Sequence, residues 1–112
     1  EIIFASASIE PVVKAIAEKF QVKTAFYTEL VKNKDIYTGV IKYDMEGRKH
    51  LVIERFKKDN NVKETVFFTD NKEDIQMILN SSHSTVVSKS KNLIYWKNKQ
   101  SKRKNIKIIV ID

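Results

Sequence analysis

Ile2-Ile3-Phe4-Ala5-Ser6-Ala7-Ser8-Ile9-Glu10-Pro11 is the stretch whose reading decides the fold. Four apolar residues in a row suit a strand buried on both faces, since alternation is expected only where one face meets water. Ser6-Ala7-Ser8 is small and polar, as a turn should be. Pro11 then falls in a first helical turn, where its missing N–H would have lacked a partner anyway. Val12, Val13, Ile16, Ala17 and Phe20 follow at helical spacing, with Lys14, Glu18 and Lys19 on the other face. The pattern is strand, polar turn, helix.

Working outward, Ala25-Phe26-Tyr27 predicts a brief strand. Ile36-Tyr37 and Val40-Ile41, around Thr38-Gly39, predict a small β-hairpin near residues 30–43 with Lys32-Asn33-Lys34-Asp35 at its tip. From Met45 to Lys58 the period is helical, with a stripe of Leu51, Val52, Arg55 and Phe56. Asp59-Asn60-Asn61 is a turn. Thr65-Val66-Phe67-Phe68 is a second β-branched and aromatic strand, ending at Thr69-Asp70. A helix through Ile75, Met77, Ile78 and Leu79 follows, then a strand at Thr85-Val86-Val87, a helix over Asn92–Asn98 and a last strand over Ile106–Ile111.

Strands alternating with helices predict an α/β fold: a Rossmann-like three-layer sandwich with a mainly parallel sheet, residues 1–112 forming a single domain. In such folds ligands gather at the carboxyl ends of the strands. Ser6 and Asp70 stand at two of those ends.

Composition narrows the function classes. The formal charge is +7, from 21 Lys and Arg against 14 Asp and Glu, so anions are attracted. Lys97, Lys99, Lys102, Arg103 and Lys104 crowd one short stretch. There is no cysteine, which excludes disulfides and thiolate metal sites and suits a reducing, cytoplasmic compartment. No apolar run approaches the roughly 20 residues of a membrane-spanning helix. The chain opens at Glu1 within an apolar run and without methionine, so it reads as a piece of a longer polypeptide, a processed product or a trimmed chain. His50 and His83 lack zinc-ligand spacing and read as surface residues.

Asp70-Asn71-Lys72-Glu73-Asp74 places two carboxylates four residues apart at a strand end that leads into a helix. Carboxylates are the hard oxygen ligands Mg²⁺ prefers. The same acids also suit plain helix capping. Ser6 has a hydroxyl to offer a phosphate oxygen at a helix start, and is equally at home in a turn. Lys49 can neutralise a bound phosphate, or be a solvated lysine.

The order of these features is more specific than any one of them. Ile2-Ile3-Phe4-Ala5-Ser6-Ala7-Ser8-Ile9-Glu10-Pro11 resembles the second motif of the phosphoserine-phosphatase-like branch of the haloacid dehalogenase superfamily. Thr28-Glu29-Leu30 and Tyr37-Thr38-Gly39 look like its connecting segment. Gly47-Arg48-Lys49 resembles the third motif. Phe67-Phe68-Thr69-Asp70-Asn71-Lys72-Glu73-Asp74 resembles the fourth, with Thr69 where Gly or Ser is commoner. The resemblance spans nearly the whole chain in the right order.

It implies a Mg-dependent phosphatase core. Ser6 would bind the transferring phosphoryl group, Lys49 would offset its charge, and Asp70 would hold Mg²⁺ with Asp74 as its acidic partner. The catalytic residues of this chain would be Lys49 and Asp70. The substrate class would be a phosphorylated small molecule, hydrolysed through an aspartyl-phosphate. The nucleophile of the family lies in an Asp-x-Asp motif on an earlier central strand, and these 112 residues contain no Asp-x-Asp. A preceding segment or companion chain carrying it is therefore an expected partner, without which two sheet edges stay open. Two other classes remain: a catalytically inactive remnant of the same fold, and a basic nucleic-acid or anion-binding module built on Lys97–Lys107. Lysines before a final strand usually form a solvated loop, and no nucleic-acid signature is present, so neither nucleic acid nor membrane is an expected partner.

Overall fold

The computed structural model describes residues 1–103 and 105–112. The chain forms two compact units, Glu1–Phe56 and Lys57–Asp112.

The first unit contains β1 (Ile3–Ile9), α1 (Glu10–Lys19), β2 (Thr24–Asn33), β3 (Ile36–Tyr43) and most of α2 (Lys49–Asp59). Its sheet runs β1-β2-β3, with β1 and β2 parallel and β2 and β3 antiparallel. The expected opening strand and helix are both present. Extended backbone, however, runs on past Ala5 to Ile9. Regular pairing stops at Ala5↔Phe26 and resumes only at Ile9↔Thr28, so Ser6-Ala7-Ser8 bulge out of the ladder. A local bond explains the break: Ser6 Oγ accepts the Ser8 N–H at 3.0 Å, an alternative to a cross-strand partner.

Helix α1 buries Val13 and Ala17, while Val12, Ile16 and Phe20 on the neighbouring stripe stay exposed. The hairpin near 30–43 is present with a tighter tip than expected. Lys32 and Asn33 pair within β2, and Lys34 and Asp35 make the turn with φ of 50° and 64°. Positive φ at both central residues matches the twist of the flanking strands. Helix α2 starts at Lys49 rather than Met45. Asp44 Oδ1 accepts the Glu46 N–H at 2.9 Å and Gly47 takes a φ of 69°, which folds residues 44–48 into a turn.

The second unit contains β4 (Val66–Thr69), a 3-10 turn (Lys72–Asp74), α3 (Ile75–Leu79), β5 (His83–Ser88), α4 (Leu93–Lys102) and β6 (Ile106–Val110). Its sheet, β4-β5-β6, is wholly parallel, and its register never slips. Ile78, Val86, Trp96 and Ile106 form the core, with Phe67, Ile75, Tyr95 and Ile108 packed around them. Trp96 is fully buried and packs α4 into this core. The opposite face of the sheet is open: Phe68 on β4 is 68% exposed, and Val66 and Ile109 are exposed too.

The architecture is thus α/β, with two small sheets, one mixed and one all parallel, and four α-helices among the described residues. A single sheet was expected. Instead β1 pairs only with β2 and β4 only with β5, so each strand is an edge of its own three-stranded sheet. Among the described residues no helix is long and apolar enough to cross a membrane.

Candidate functional site

Ser6 lies in the β1 bulge, half-buried, just past the last regular pair with β2. What organises this bulge is a residue on the neighbouring strand. Thr28, buried at 3% exposure, donates its hydroxyl to the Ala7 carbonyl at 2.8 Å. The same oxygen accepts the Met45 N–H at 3.0 Å. One buried hydroxyl therefore ties the Ser6–Ser8 bulge to the turn that delivers Lys49. Asp44 Oδ1 lies 3.5 Å from Thr28 Oγ1, and Arg48 donates to the Asp44 carbonyl at 3.2 Å, closing the turn from the other side. Lys49 is half-buried as the first residue of α2. Met45, only 1% exposed, anchors the turn in the core.

Glu10 begins α1 immediately after the bulge and is buried to 8% exposure. A carboxylate there needs partners. Lys14 donates to Glu10 Oε1 at 2.6 Å, and Lys32 Nζ stands 3.9 Å from the same oxygen. The Lys14 hydrogen bond holds the Glu10 carboxyl below its ordinary pKa against the opposing effect of burial, and the same bond raises Lys14.

In the second unit, Thr69 ends β4 and is buried. Its hydroxyl donates to Asp74 Oδ2 at 2.7 Å and accepts the Asn71 N–H at 3.0 Å. Asn71 Oδ1 in turn accepts the Glu73 N–H at 2.9 Å. Asp74 is thereby fastened to the strand end, while Asp70 is exposed beside it. The two acids offer one solvent-facing carboxylate and one that is oriented by a hydroxyl. Mg²⁺ takes one or two protein carboxylates and fills its octahedron with water and phosphate oxygens, so this donor pair fits such an ion. Among the described residues, no group of three or more His, Asp and Glu gathers as a metal site.

The chain matches no family model, no curated protein and no solved structure.

Of the predicted residues, Ser6 and Lys49 fall in the first unit, on segments joined through Thr28. Asp70 and Asp74 fall in the second, joined through Thr69. Sequence reasoning passed over both threonines. Thr28 stood out only within Thr28-Glu29-Leu30, and Thr69 only as a replacement for a smaller residue. Their common signal is a hydroxyl directly after a short aromatic-containing apolar run, Ala25-Phe26-Tyr27 or Val66-Phe67-Phe68, where a side chain can bridge neighbouring segments. His50 is half-buried and His83 exposed. Lys104, in the predicted basic run, lies outside the described residues.

Proposed function

We propose that this chain is the C-terminal part of a Mg-dependent phosphomonoester hydrolase of the haloacid dehalogenase type. The observation that carries the reading is the Thr28 bridge. Its hydrogen bonds to Ala7 and Met45 hold a serine-bearing bulge and a lysine-bearing turn to the middle of β2, where the pairing with β1 ends. In this reading the Ser6 hydroxyl and the adjacent backbone bind phosphoryl oxygens, and Lys49 neutralises them. Asp70 would hold Mg²⁺, and Asp74, oriented by Thr69, would keep the site acidic. The ion, when bound, offsets phosphate charge. The substrate would be a phosphorylated small molecule.

The nucleophilic aspartate would come from a preceding segment or a companion chain. Two features support that partner. Strands β1 and β4 each keep one open edge, and Val66 and Phe68 on β4 remain exposed although parallel sheets are normally covered on both faces. The Rossmann-like three-layer sandwich with a mainly parallel sheet, and a cytoplasmic location, belong to the complete protein in this proposal.

The test uses that complete protein and a generic phosphomonoester. Asp70→Asn should abolish Mg²⁺-dependent hydrolysis, and Lys49→Ala should lower kcat by about 10²-fold or more. Unchanged turnover in either variant refutes the assignments.

A further inference from the structure

Between Ile75 and Ile111 the chain has no aspartate or glutamate, yet it holds eight lysines and arginines. The imbalance belongs to one unit. Residues 57–112 carry 12 Lys and Arg against 6 Asp and Glu, whereas residues 1–56 carry 9 against 8. Read along the sequence, the lysines after Asn98 are a solvated loop. In the structure α4 continues to Lys102, so Lys97, Lys99 and Lys102 all project from one helix.

The surroundings of that helix are cationic as well. Lys72 Nζ stands 4.9 Å from the centroid of the Tyr95 ring, and Lys99 Nζ stands 5.4 Å from the same centroid. Attraction to the ring face offsets part of the mutual repulsion of two ammonium groups. Among the described residues, none of Lys72, Lys91, Lys97, Lys99 and Lys102 has a carboxylate within ion-pair distance. Asp112, the acid closest to this helix in the sequence, is held by Ser90, which donates from its N–H at 3.1 Å and its hydroxyl at 2.7 Å.

We propose that α4 and its flanks bind the phosphate backbone of a nucleic acid. A dense line of phosphates suits a set of unpaired lysine point charges without requiring a shaped pocket. An acidic protein partner would need an apolar interface centre, and an anionic membrane a broad apolar helix face. Helix α4 has neither: Trp96 is buried in the core and Tyr95 packs beside it, leaving Ile94 as the one largely exposed apolar side chain of the helix, at 85%. This surface is independent of the phosphatase reading and survives or fails without it.

The experiment is fluorescence anisotropy of a labelled random-sequence duplex with the full chain across a salt series. Four phosphate contacts predict a slope of about −3.6 in log K against log salt, or roughly 10²-fold weaker binding at about 200 mM than at about 50 mM. The triple variant Lys97→Gln/Lys99→Gln/Lys102→Gln should flatten the slope by about 3, and Lys19→Gln/Lys23→Gln in the first unit should leave it unchanged. Should the triple variant not fold by circular dichroism, Lys97→Gln and Lys102→Gln singly should each flatten the slope by about 1. No binding at low salt, a slope indifferent to the α4 changes, an equal loss in the first-unit control, or tighter binding to phosphatidylserine vesicles than to the duplex would each overturn the proposal.

Discussion

The two units solve the same packing problem differently. In the first, the register of the sheet shifts at three places, and its buried residues include a carboxylate and a hydroxyl, Glu10 and Thr28. Its charges are nearly balanced and several are paired. In the second, every strand keeps register around an apolar centre of Ile78, Val86, Trp96 and Ile106, its buried polar residues among those described all carry hydroxyls (Thr69, Ser81, Ser84 and Ser88), and Lys91, Lys97 and Lys102 face solvent. The difference teaches what a break in the ladder requires. A bulge frees backbone groups and small side chains from the ladder, and polar bonds must then hold them. A regular parallel ladder keeps its strands paired without such a break, and leaves its helix surface free to carry charge.

Three substitutions break or sharpen this contrast. The largest effect should come from Trp96→Ala, which empties the centre of the apolar core and should cost about 3–5 kcal/mol. Hydrogen exchange should show it first in the β4–β6 amides, with the β1–β3 amides as internal reference. Retained protection in β5 would refute the placement of the core. Next is Thr28→Val, which keeps the shape but strips the Ala7 carbonyl and Met45 N–H of their shared partner. The expected cost is about 1–3 kcal/mol in denaturant titrations. Exchange at Met45 should rise more than at Val86, and an equal rise in both would refute a local role.

The smallest effect concerns Glu10→Gln. The Glu10 carboxyl has its pKa lowered in the folded chain by Lys14, so its ion pair contributes above the ordinary glutamate pKa of about 4.3 and is lost as pH falls through the folded value. Lys14 is raised by the same bond, so the contribution is also lost as pH rises through its folded value. The Glu10→Gln variant should therefore melt with a shallower pH dependence on the acid side, with most of its deficit at neutral pH. A variant that tracks the parent chain at every pH would contradict the pairing. Lys14 is half exposed, which keeps the effect modest.

Much of the fold was legible because period and composition agree along most of the chain. Val13 and Ala17 sit where a helical face puts them, and Val66-Phe67-Phe68 is a strand with few other options. The split into two sheets was not legible, since strand pairing is a long-range choice that local pattern does not encode. Neither was the burial of Thr28. A threonine between aromatic and acidic neighbours looks like any strand residue until its loops are placed. The run of lysines after Asn98 was misread for a local reason: without a glycine or proline to stop it, α4 continues to Lys102, where the Arg103 N–H bonds the Gln100 carbonyl.

The central claim is that Ser6, Lys49 and Asp70 respond to phosphate and a divalent ion while the basic helix responds to polyanions. Amide chemical shifts of these residues in the complete protein, titrated with inorganic phosphate in the presence of Mg²⁺, address it most directly. The account predicts saturable shifts at Ser6–Ser8, at Arg48 and Lys49, and at Asp70 and Asn71, with the Thr28→Val variant losing those of the first unit. Shifts confined to residues 91–103, or none at all, would contradict it.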